Sequence, residues 1–197
     1  MVTPKSYWGF EYTYIRLHGN FVAYYAVGLA NTLEIDPYKI GTAAYYHDYG
    51  KHKWPPALFT KKELTEKDWE IIKRHPQDTL DILFSSLVPD ISRAKLLEGA
   101  PSVADIIYMH HEKPDGSGYY GIKNMPIEAA IVSIADIFDA CLSDRTYKRG
   151  VSIGNSLECA LSPFRDYLKN KGINPKDIES RLIKMAMKFK FEKVLNG

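Results

Sequence analysis

Cysteines, long apolar runs, internal repeats and an excess of one charge are all scarce in this chain of 197 residues. Only Cys141 and Cys159 occur. Both fall in patterns that read as apolar helix, so they are expected as reduced packing thiols and not as a disulfide. The longest apolar stretch, Phe21 to Ala30, covers ten residues, well short of the ~20 needed to span a bilayer. No charged-then-apolar leader opens the chain, and the reading is a cytoplasmic protein with no membrane partner. The 26 Lys and Arg against 24 Asp and Glu leave a net charge of +2, too little for a protein that coats duplex nucleic acid. With 45% hydrophobic and 25% charged residues, the composition excludes a disordered or fibrous chain and suits one globular core.

What is present reads almost entirely as helix. Residues 1–13 carry Tyr7, Trp8, Phe10 and Tyr12 and are taken as an irregular aromatic lead-in, followed by a single domain over 14–197. From His18 to Leu33 the apolar positions step by three and four, as a helix requires. Asp36-Pro37 supplies an N-cap and first-turn proline for a second helix, on which His47 lines up with Ile40, Ala43 and Ala44 before Gly50 ends it. A lysine-rich loop with Pro55-Pro56 leads to Thr65-x-x-Asp68, a capping box for a helix to His75, where Pro76 is expected to bend or restart the chain. Further helical stretches are expected at about 79–87, 91–98, 103–111 and 126–143. Two amphipathic helices, about 153–171 and 175–195, finish the chain. The fold class is all-α, a bundle of about seven or more helices with a site between them.

Five of the six histidines sit in distinctive settings: His18, His47, His75, His110 and His111. His47, His110 and Asp136 each align with apolar positions of their own helix, so imidazoles and carboxylates are expected to converge inside one core. Asp136 and Asp139 lie at i and i+3 in the segment IVSIADIFDACL (131–142), which is otherwise built for burial. A buried unpaired carboxylate costs several kcal/mol, and a metal ion removes that penalty. Imidazole with carboxylate and no thiolate suits iron, manganese, cobalt, nickel or zinc over calcium, and the ligand count exceeds what one ion needs.

The chain shows HDYGK at 47–51, RHP at 74–76, HHEKPDGSGYYG at 110–121, ADIFDA at 135–140 and DRTYKR at 144–149. On these motifs, in this order over about His18 to Arg149, it resembles the HD-GYP branch of the HD superfamily of metal-dependent phosphohydrolases. The resemblance implies an HD-domain helical bundle with a motif core at 18–149 and C-terminal helices over 150–197. It also implies two divalent transition-metal ions, iron or manganese first, with zinc, cobalt or nickel as alternatives. Their ligands would be His18, His47, Asp48, His75, His110, His111 and Asp136, with Asp48 bridging the pair. A hydroxide held between two such ions is a nucleophile at neutral pH.

The implied reaction is hydrolysis of cyclic di-GMP to pGpG and, in some members, onward to GMP. Asp48 and Lys51 would act catalytically, with Lys51, Asp139, Arg145 and Lys148 on the substrate. Tyr119, in the glycine-rich loop, is taken as lining the pocket, and Glu112 and Asp115 as groups that fix ligand or loop.

The chain departs from the resembled pattern at four places, one being the segment between 121 and Met125, which is shorter than the pattern's. Tyr120 stands where Gly-Tyr-Pro has its proline, Thr79 where the HPxxG motif has its glycine, and Tyr14 where three-metal members carry a glutamate. The last removes a third-ion ligand, and the first leaves open another nucleotide substrate, such as cyclic GMP-AMP or a linear dinucleotide. A third alternative is a signalling module that binds a cyclic dinucleotide or a partner protein without hydrolysis. The aromatic N-terminus is read as a docking place for a regulatory domain, a partner protein or the second subunit of a homodimer.

Overall fold

The protein is described by a computed structural model covering residues 5–85, 92–143 and 152–195, with side chains over 13–85, 92–143 and 152–188. Among the described residues it is all-helical: α1 (Lys5–Thr32), α2 (Pro37–Tyr46), α3 (Glu66–Phe84), α4 (Arg93–Leu96), α5 (Val103–Met109), α6 (Ile127–Leu142), α7 (Ile153–Leu161), α8 (Arg165–Asn170) and α9 (Pro175–Leu195). Two short 3-10 turns, Tyr49–Lys53 and Pro56–Phe59, occupy the loop between α2 and α3. No described helix is long and apolar enough to cross a membrane.

The local signals place the helix starts. The Asp36 carboxylate accepts from the Tyr38 and Lys39 amides, with Pro37 in the first turn. Thr65 with Asp68 and Ser102 with Asp105 form reciprocal capping boxes, each satisfying amide donors that the helix itself cannot.

Five expectations are corrected. The lead-in is not irregular, because α1 is already helical from Lys5. Pro76 neither bends α3 into two nor restarts it, and one helix runs from Glu66 to Phe84; the stretch expected at 91–98 shortens to α4. The helix expected over 153–171 is two, α7 and α8, since Pro163 has no N–H with which to continue the ladder. Cys141 and Cys159 form no disulfide, but Cys159 is exposed on α7 and is no core thiol.

Helix α6 is the centre of the bundle. Ala130, Ile131, Val132, Ile134, Ala135 and Phe138 are all fully or almost fully buried, and α1, α2, α5 and α7 surround the helix. Burial of each large side chain contributes about 1.5–3 kcal/mol, enough for the helix to carry Asp136 and Asp139 inward. Helix α1 packs across α2, α6 and α9; it approaches α2 at Gly19, where an added Cβ would lie 2.5 Å from the Tyr45 carbonyl oxygen. Helix α3 packs on α5 and on the 3-10 turn that follows Asp48.

Candidate metal centre

Seven side chains from five helices and their ends meet in the interior. Their donor atoms fall into two groups, each with all ligand atoms within 4.8 Å of one another: His18, His47 and Asp136, and Asp48, His75, His110 and His111. The two groups adjoin at Asp48. Its Oδ2 lies 3.4 Å from His47 Nε2 and 3.5 Å from His18 Nε2, while its Oδ1 lies 3.2 Å from His75 Nε2 and 4.0 Å from His110 Nε2. Thus every residue named from sequence as a ligand is brought to one place.

The backbone decides which nitrogen of each ring points inward. His47 and His110 follow the last residues of α2 and α5, where the final carbonyls have no helical partner. Each ring turns back and donates Nδ1–H to such a carbonyl: His47 to Ala44 and His110 to Ile107, both at 2.6 Å. His75 does the same in mid-helix, donating to Ile72 at 2.6 Å. That carbonyl is free because residue 76, four positions on, is proline and has no N–H to fill it. The proline of the RHP motif therefore orients the histidine before it. A ring whose Nδ1–H is engaged presents Nε2 to the centre, the arrangement that fixes ligand imidazoles.

His18 is held by a carboxylate instead. Its Nδ1 bonds Asp139 Oδ2 at 2.7 Å and its Nε2 bonds Asp136 Oδ1 at 2.9 Å. Asp139, expected on the substrate, stands behind His18. Tyr14, one turn earlier on α1, lays its ring nearly parallel to the His18 imidazole at 6.2 Å.

The electrostatics differ between the groups. Burial disfavours a charged His47, but the charges of Asp48 and Asp136 outweigh it and push its pKa up to about 10. His18 is likewise raised despite burial, by its hydrogen bonds to Asp136 and Asp139. Burial also works against the ionised forms of Asp48 and Asp136, yet both are held well below the usual carboxylate range, Asp48 by the charges of His47 and Lys51 and Asp136 by the hydrogen bond from His18 and the nearby charge of His47. In the other group burial prevails. His75 is lowered, His110 is lowered further by its imidazole neighbours, and His111 is pushed down to about 3 by burial and by His75.

The fit of a cation can be judged from these atoms. The Nε2 atoms of His75 and His111 lie 3.1 Å apart, and those of His75 and His110 3.3 Å. Neutral rings cannot all satisfy one another there, since a hydrogen bond between two nitrogens needs a proton on one of them. His47 Nε2 and Asp48 Oδ1 are buried without an aligned hydrogen-bond partner among the described residues. Converging lone pairs and orphaned buried polar atoms are what a divalent cation satisfies, displacing the His47 proton as it binds. Lys51 brings a positive charge to the same spot: its ammonium pairs with Asp48 Oδ2 and lies 5.3 Å from the centroid of the Trp54 ring.

The loop after His111 forms one wall. The Tyr119 ring packs on His111 at 4.4 Å between centroids. Glu112 is buried and accepts from the amides of Tyr120 at 2.8 Å and Ile122 at 2.7 Å, which makes it a loop-fixing group. Tyr120 stacks on Tyr108 at 4.5 Å and donates its hydroxyl to the Lys73 carbonyl at 2.8 Å. Asp115 accepts from the Ser117 amide at 2.9 Å on the exposed rim. Arg145 and Lys148 lie outside the described residues.

Sequence reasoning missed Ser133. Its hydroxyl reaches the His110 carbonyl at 2.5 Å and the Ala129 carbonyl at 2.9 Å, linking α6 to the end of α5. The signal was a lone hydroxyl three residues before Asp136, on the same face of an apolar helix.

A helical bundle that draws five imidazoles and two carboxylates to one interior point defines a class of metal-dependent helical proteins. The chain belongs to the HD domain family, whose model matches residues 16–162. It is 31% identical over 84% of its length to the cyclic di-GMP phosphodiesterase PA4108 of Pseudomonas aeruginosa, and 38% identical over 60% to the cyclic di-GMP phosphodiesterase response regulator RpfG of Xanthomonas campestris. It spans 41% and 30% of those two relatives. The fold is also that of the HD domain of the phosphodiesterase PgpH of L. monocytogenes, with a TM-score of 0.62 at 19% identity over 89% of this chain and 93% of that one. The family implies divalent metal ions, and among the described residues the His/Asp cluster is a metal-capable site.

Proposed function

We propose that the protein is a metal-dependent phosphodiesterase that opens cyclic di-GMP to linear pGpG, using two divalent transition-metal ions. The observation that carries this reading is Asp48, whose two oxygens face two adjacent groups of ligands. His18, His47 and Asp136 would hold one ion, His75, His110 and His111 the other, and Asp48 both. The likeness to two cyclic di-GMP phosphodiesterases supports the substrate. The ligand chemistry suits iron or manganese first.

When bound, the ions supply Lewis acidity and a nucleophilic water at neutral pH. The chain's own groups do the rest. The Nδ1–H bonds of His47, His75 and His110 to backbone carbonyls keep the rings aimed. The Lys51 ammonium, beside Asp48 and at the face of Trp54, is within reach of a phosphate drawn to the centre and offsets the charge that grows on it. Tyr119 lines the pocket against His111; Arg145 and Lys148 are assigned to the substrate phosphates or guanine edges.

The test is to incubate metal-reconstituted protein with cyclic di-GMP, cyclic GMP-AMP and cyclic di-AMP at equal concentrations and resolve the products by chromatography. Metal-dependent release of pGpG, abolished by a chelator, is the expected result. No turnover of any of them at full metal occupancy would overturn the reading. The departure from Gly-Tyr-Pro at Tyr120 leaves cyclic GMP-AMP as a second candidate substrate, and the same competition decides it.

A further inference from the structure

Thr79 stands where the resembled HPxxG motif has its glycine, and its side chain is fully buried. It lies four residues after His75 on α3, and therefore on the same face. Its hydroxyl accepts from the Gly50 amide at 2.7 Å and donates to the His47 carbonyl at 3.0 Å, so both capacities of the group are used. The two backbone groups it grips flank Asp48. At Gly50 the turn presses directly on α3: an added Cβ would lie 2.0 Å from the His75 carbonyl oxygen and 2.7 Å from the Thr79 amide nitrogen. One hydroxyl thus ties the turn that carries His47 and Asp48 to the helix that carries His75, across the junction of the two ligand groups.

We propose that Thr79 is a positioning residue of the metal centre, fixing the separation between the His47–Asp48 turn and His75 so that both ligand groups keep their geometry. The inference rests on the metal reading above and deepens it. A glycine at this position has no hydroxyl to close the clasp, so this chain achieves by a side-chain bond what the resembled motif must achieve otherwise. Loss of the hydroxyl would leave a buried N–H and a buried C=O unpaired beside two ligands, and the ligands would drift at the scale that weakens metal sites.

The test compares metal-free wild type, Thr79→Val, Thr79→Ser and Thr79→Gly by cobalt titration calorimetry, by the visible spectrum of bound cobalt and by thermal denaturation without metal. Thr79→Val keeps the shape and removes both bonds. It should weaken cobalt binding by about 10- to 100-fold and alter the cobalt bands, while Thr79→Ser restores both. Should Thr79→Val fold poorly, Thr79→Gly carries the same expectation with no added bulk. A folded Thr79→Val or Thr79→Gly protein with wild-type cobalt affinity and spectrum would overturn the inference while leaving the metal reading intact. Failure of the wild type to take up cobalt, manganese or iron would overturn both.

Discussion

The two halves of the centre are built from the same residue types and hold protons in opposite ways. Around His18 and His47 stand Asp136, Asp139 and one oxygen of Asp48, and the surplus of carboxylate favours the charged form of both imidazoles. Around His75, His110 and His111 there is one carboxylate, Asp48, and burial with mutual repulsion keeps the rings neutral. The first half has protons to exchange for a cation; the second has open lone pairs. Asp48 belongs to both, and Lys51 pairs with it on the side of the proton-rich half. Buried charge in this core is balanced by counting carboxylates against imidazoles in each half, and the imbalance in each is what a divalent ion corrects.

The strongest way to break the contrast is to remove what the halves share. Asp48→Ala should abolish uptake of both ions, read by elemental analysis, and lower turnover by about 10³-fold or more, on the order of 4 kcal/mol in the barrier. Retention of one ion at full affinity would show that Asp48 serves a single half.

Asp139→Asn acts on one half alone. It should weaken metal binding beside His18 by roughly 10- to 100-fold and leave the other ion in place, measured by stepwise metal titration. Unchanged metal content with a raised KM would instead mark Asp139 as a substrate contact.

The proton contrast predicts a stability maximum for the metal-free protein near pH 6.5. His18 and His47 have raised values, so their stabilisation is complete below the unfolded value of about 6.5 and is lost as pH rises through their folded values, about 10 for His47. His75, His110 and His111 have lowered values, so the fold resists their protonation and stability also falls as pH drops below 6.5, toward about 3 for His111. Asp48 and Asp136, with lowered values, add to the loss only in stronger acid. Denaturant unfolding across pH in the presence of a chelator checks this, and a monotonic profile would contradict it.

The smallest effects belong to the loop wall. Tyr120→Pro recreates the resembled motif but removes the amide that Glu112 accepts, and should cost about 1–3 kcal/mol of stability. Tyr120→Phe loses only the hydroxyl bond to Lys73 and should cost about 0.5–1.5 kcal/mol. Thermal denaturation ranks the two, and equal melting would deny the role given to the Glu112 contact.

Much of this was legible along the chain because it is local. Asp36-Pro37, the Thr65 capping box and the inward alignment of His47, His110 and Asp136 depend on neighbours within a turn or two, and the convergence of the seven residues followed from their motifs. What was not legible depends on contacts between distant segments. That Asp139 turns behind His18 requires the packing of α1 against α6. Thr79 read as a departure until α3 was laid on the Gly50 turn. Pro76 read as a break because its missing amide was counted as a loss, whereas the freed Ile72 carbonyl is filled by His75. Early helicity from Lys5 was hidden by a run of aromatics with no clear helical stripe.

The most direct measurement is anomalous X-ray diffraction from crystals of the manganese- or iron-loaded protein. Two peaks flanking the Asp48 carboxylate, one within bonding distance of His47 Nε2 and the other of His75 Nε2, are predicted. A single peak away from Asp48, or none at full metal supply, would contradict the account.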